Sequence, residues 1–69
     1  MSVSEITERQ EEVLALIVDG CTFGEIAERL GISERTVKSH SDLLRRKLGA
    51  ERKRNLILLG RDYLAGKAA

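Results

Sequence analysis

Only Gly31 and Ile32 separate the end of one apolar stripe, Ile26, Ala27 and Leu30, from Ser33, a residue type that caps the free N–H groups of a helix start. A connection this short, opening on a glycine able to take a left-handed conformation, is the turn of a helix-turn-helix. It sets two helices at a steep angle and fixes which of their faces meet.

The rest of the chain is punctuated in the same way. Thr7 with Gln10, and Thr22 with Glu25, are capping-box pairs, in which two side chains reciprocally satisfy backbone donors at a helix start. Val13, Leu14, Leu16 and Ile17 give the first helix its apolar stripe, and Gly20 closes it, so the spacing predicts a helix over about 8–19. A short second helix over about 23–30 follows, with Cys21 and Ile26 placed as a hydrophobic staple. The third helix runs from about 34 to 48, where Gly49 ends it. A fourth is predicted over about 52–64, with Leu56, Leu59 and Tyr63 on one side and a fraying tail from Ala65 to Ala69. The fold class is all-α, a single four-helix helix-turn-helix domain over residues 1–69.

Projected at about 100° per residue, the third helix divides into two faces. Val37, Ser41, Leu44 and Leu48 fall within about 40° of one direction, flanked by His40, and form the side that packs inward. The other side carries Arg35, Lys38, Ser39, Asp42, Arg45 and Arg46, a strip of donors and cations suited to a DNA major groove. On the fourth helix Leu58 projects about 160° from Leu56, too far round to share one core.

Charge separates along the chain. Residues 1–34 hold two cations against eight anions, whereas residues 35–69 hold ten against three, although the whole chain is only +1. A polyanion would therefore meet the second half. Cys21 is the single cysteine, which excludes an internal disulfide framework and suits a reducing cytoplasm. The longest apolar run, Leu56 to Leu59, is far too short to span a membrane. His40 has no companion at metal-ligand spacing, and no nucleophile stands beside a base, so neither a metal, a cofactor nor an enzyme is expected. Cys21 lies near Asp19 and Glu25, which would not stabilise a thiolate.

Four stretches carry a resemblance to a known family: residues 6–14 (ITERQEEVL), 24–33 (GEIAERLGIS), 36–40 (TVKSH) and 46–50 (RKLGA). In order and spacing they resemble the LuxR-type, or GerE-like, helix-turn-helix domain over about residues 6–60. The resemblance implies a bacterial transcription factor domain whose third helix reads double-stranded DNA, in the cytoplasm at the nucleoid. It assigns base contacts to Lys38, Ser39 and Asp42, and backbone contacts to Thr22, Ser33, Arg35, Thr36, Arg45 and Arg46, with His40 either packed or on a phosphate. It also implies a homodimer through the fourth helix, at Asn55, Leu58, Leu59 and Asp62. Two-fold pairing of that kind sets two reading helices on successive grooves.

Three positions depart from the family's pattern. Phe23 replaces a polar residue after the Thr22 cap, Arg52 stands where a capping Asn or Ser is common, and Asp42 stands where Lys, Arg or Asn is frequent. Asp42 either accepts from cytosine N4 in the groove or orients Lys38 and Arg46, each four residues away. A second class of function is a protein-interaction module of the same fold whose acidic half contacts RNA polymerase or another regulator.

Overall fold

The computed structural model describes residues 6–68, and within them the chain forms four α-helices with no strand. They are α1 (Glu8–Val18), α2 (Phe23–Leu30), α3 (Glu34–Leu48) and α4 (Lys53–Ala68).

Local chemistry sets three of the four starts. Thr7 Oγ1 accepts from Gln10 N at 3.2 Å while Gln10 Oε1 accepts from Thr7 N at 3.1 Å. Thr22 and Glu25 repeat the box at 3.1 and 2.7 Å. Ser33 Oγ accepts from Thr36 N at 3.1 Å and opens α3. Gly31 and Gly49 end α2 and α3 at φ +68° and +74°, a region where any Cβ would be strained. Past each of them the chain closes on the helix it leaves, with Ile32 N donating to Ala27 O at 3.0 Å and Ala50 N to Arg45 O at 2.7 Å.

Each helix contributes fully buried side chains to one core: Val13, Leu14 and Ile17 from α1, Ile26 from α2, Val37 and Leu44 from α3, and Leu56 from α4. Leu48 packs against this core half-buried, and Cys21 is buried in the same cluster as Ile26. Gln10, buried at the first turn of α1, accepts at Oε1 from Lys47 Nζ at 2.9 Å as well as from its own cap, tying the last turn of α3 to the start of α1.

Three boundaries and one face differ from expectation. Helix α1 stops at Val18, and Asp19 serves as its C-cap. Helix α4 begins one residue late, at Lys53, because the Arg52 side chain offers no acceptor for a cap and only its carbonyl enters the ladder, accepting from Leu56 N at 2.9 Å. It then continues to Ala68 where a frayed tail was expected. Half-buried Tyr63 and Leu64 hold it down, Tyr63 Oη donates to Glu11 Oε2 at 3.0 Å, and Lys67 Nζ lies 3.4 Å from the same oxygen. Leu59, placed with the core by its spacing from Leu56, is 37% exposed. The cause is Gly60: a Cβ built there would come within 2.6 Å of Leu14 Cδ1, so α4 crosses α1 on Gly60 and turns Leu59 outward.

Candidate nucleic-acid interface

The candidate surface comprises α3 and the turns that open α2 and α3. Because Val37, Ser41 and Leu44 are buried, the opposite side of the helix is obliged to face solvent, and Arg35, Lys38, Ser39 and Arg46 are all exposed. Among the described residues, no hydrogen bond or ion pair engages the side chain of Arg35, Lys38 or Arg46. Three cations and a hydroxyl thus stand unspent on one face. His40 is half-buried at its margin, as the projection placed it.

Asp42 does orient a cation, though not the expected ones. Its Oδ1 accepts from Arg45 Nη2 at 2.8 Å, a pairing three residues apart, rather than from Lys38 or Arg46. Arg45 is held a second time, Nη1 donating to Glu51 O at 3.0 Å, and the carbonyl in the loop after α3 is what selects it. Asp42 thereby gains a counter-charge that offsets part of its repulsion toward a phosphate, and Arg45 becomes a fixed donor rather than a free one.

The corner where α2 and α3 begin gathers Thr22, Ser33 and Thr36, all exposed. Each of the two caps spends an acceptor on its own helix, and the Ser33 and Thr36 hydroxyls lie 2.9 Å apart. The same corner is not uniformly welcoming to an anion. Glu25 is fixed there by hydrogen bonds from the Thr22 backbone and side chain, which, with Arg29, hold its carboxyl below the usual range. The cap therefore keeps its strength above ordinary carboxylate pKa values and loses it only as pH falls through that lowered one. The Glu34 carboxylate also leans back over Gly24, its Oε2 at 3.5 Å from where a Cβ would stand.

On α4, Leu58 is 55% exposed and Asn55, Leu59 and Asp62 are exposed beside it. Asn55, Leu58 and Leu59 line one shallow hollow with Gly49 and Glu51. Phe23 is half-buried under Lys53, whose Nζ lies 4.6 Å from the ring centroid, so the apolar substitution after the Thr22 cap serves to seat the start of α4. Periodicity could not show this contact, since it joins positions thirty residues apart. Among the described residues, no three His, Cys, Asp or Glu side chains gather as for a metal ion, and no helix is long and apolar enough to cross a membrane.

Comparison with known proteins decides the family. The family described as bacterial regulatory proteins, luxR family, matches residues 4–59. The chain belongs to the LuxR family. Among its LuxR-family relatives, the methanol utilization control regulatory protein MoxX of Paracoccus denitrificans is 38% identical over 65 residues, covering 94% of this chain and 29% of MoxX. The spore germination protein GerE of Bacillus subtilis is 44% identical over 46 residues, covering 67% of this chain and 62% of GerE. In the solved structure of Vibrio cholerae VqmA, a LuxR-type receptor captured as a dimer without its target DNA, the matching region superposes with a TM-score of 0.83 at 39% identity over 88% of this chain and 28% of VqmA. The chain thus spans less than a third of MoxX and of VqmA, and corresponds to the LuxR-type helix-turn-helix unit within them. The four-helix, all-α architecture expected from caps and periodicity is that of a LuxR-type domain.

Proposed function

We propose that this LuxR-family domain binds double-stranded DNA in a sequence-specific manner as part of a bacterial transcriptional regulator, with α3 seated in the major groove. The observation that carries the reading is the unspent face of α3: Arg35, Lys38, Ser39 and Arg46 exposed together, opposite buried Val37, Ser41 and Leu44. Lys38, Ser39 and Asp42 read base edges, Asp42 while also holding Arg45. Arg35, Arg45 and Arg46 answer phosphates, with Thr22, Ser33, Thr36 and His40 positioning the backbone at the flanks. The descriptions of VqmA as a LuxR-type receptor with target DNA and of MoxX as a regulatory protein support the same role.

The test begins with duplexes selected from a random library. Lys38→Ala is expected to weaken binding by about 5- to 150-fold at one base pair of each half-site, the worth of a good base contact, and to spare unselected duplex. Equal weakening on selected and unselected DNA would remove Lys38 from base reading. Failure of the wild-type chain to retain any duplex at low salt would overturn the proposal and leave a protein-interaction module that contacts RNA polymerase or another regulator.

Pairing of two copies through α4 belongs to the same reading. Leu58 and Leu59 stand out of the core beside Asn55 and Asp62, and a two-fold partner would cover them. VqmA, the solved relative, is described as a dimer. Leu58→Glu is expected to leave helicity intact and to halve the mass seen in sedimentation, together with loss of preference for inverted-repeat sites. An unchanged mass would remove this interface.

A further inference from the structure

Leu43 is the remaining large apolar side chain exposed among the described residues, at 37%, and it lies on α3 rather than on α4. It is absent from the set of side chains packed against the core. A lone exposed leucine is commonplace, and what distinguishes this one is its direction. Taking Val37 as the inward direction, Leu43 points about 60° from straight outward, nearer the centre of the exposed face than Lys38 at about 80°. Ser39 and Arg46, four residues before it and three after, are exposed on either side.

We infer that Leu43 is a further base-reading residue, packing its isobutyl group on the C5-methyl of a thymine. The inference rests on α3 entering the major groove as proposed above. Along that groove every base edge offers hydrogen-bond donors or acceptors, and among the four ordinary bases the thymine methyl is the one apolar feature. Leucine can neither donate nor accept, so it has nothing to offer a phosphate. Set over guanine N7 and O6, or adenine N7, it would strip water from acceptors without replacing the lost bonds, which penalises those bases. Attraction to the methyl and exclusion of purine edges point to the same base. Leu43 lies about 7.5 Å along the helix axis from Lys38, which is on the order of two base-pair steps. The thymine would therefore fall about two pairs from the base that Lys38 reads, beside the pair that Asp42 reaches.

The experiment removes the methyl rather than the base. On duplexes chosen by selection, each thymine is replaced in turn by deoxyuridine, and affinities are measured by electrophoretic shift for wild-type chain and for Leu43→Ala. One thymine in each half-site is expected to show a loss of about three- to fivefold on replacement, the worth of one methyl group returned to water. In Leu43→Ala the same replacement should change affinity by less than about 1.5-fold, while helicity and dependence on Lys38 are kept. The inference is overturned if no thymine shows a methyl penalty with wild type, or if Leu43→Ala keeps the full penalty. Binding that depends on Lys38 but ignores the methyl sinks Leu43 alone, whereas absence of any duplex binding sinks the groove reading and this inference with it.

Discussion

Gly60→Val is expected to destabilise the fold by about 3 kcal/mol and to lower the thermal midpoint by about 10 to 20 °C. A Cβ at this position already falls 2.6 Å from Leu14 Cδ1 and 3.1 Å from both Leu14 Cγ and Val18 Cγ2, and valine adds two more methyl groups. Leu14 has no room to yield, because it is wholly buried. Replacing a helix-interior glycine ordinarily gains about 1 kcal/mol with alanine and roughly a few tenths with valine, so the loss would run against intrinsic propensity and isolate the steric cause. Total stability near 5 kcal/mol is typical for so small a domain, and most of it would be gone. Gly60→Ala should lie between the two. Thermal melts followed by circular dichroism measure the series, and an unchanged midpoint in Gly60→Val would mean that α4 does not cross α1 on this residue.

The second large effect concerns affinity. Arg46→Glu is expected to weaken binding to selected and unselected duplexes alike by about 10- to 100-fold near physiological salt, the worth of one charged hydrogen bond lost. It should also flatten the slope of log affinity against log salt by about one, as when a single phosphate contact disappears. Arg46 rather than Arg45 is the informative site, because Arg45 is already held by Asp42 and the Glu51 carbonyl, whereas Arg46 is exposed and unengaged. The buried side of α3 is untouched by the change, so helicity should not fall. A loss confined to the selected sequence would instead make Arg46 a reader of bases.

The parts of this fold that could be read from sequence are those settled within one helical turn. Thr7, Thr22 and Ser33 satisfy N–H groups three residues ahead, so their capping role shows in spacing alone. The two faces of α3 were equally legible, because an apolar stripe at helical period leaves one orientation that buries it. Features decided across the molecule were not. The run Leu56 to Leu59 is apolar on adjoining positions and does not choose its own inward side; Gly60 against Leu14 chooses it. The end of α4 depends on Glu11, more than fifty residues earlier in the chain, and could not be inferred from the tail itself. Asp42 had cations within reach at three and at four residues, and the choice of Arg45 followed from a carbonyl in the loop beyond the helix. Leu43 is illegible for a different reason: a hydrocarbon carries no DNA-binding signature of its own among donors and cations, although the projection that places Lys38 on the exposed side places Leu43 there too.

The Gln10 carboxamide oxygen has a mechanical consequence. It receives both the cap of α1 and the ammonium of Lys47 from the far end of α3. Load on the backbone at Thr7 is consequently shared with the last turn of α3 through a charged 2.9 Å tie, which braces from the rim a pair of helices already joined by their hydrocarbon interior.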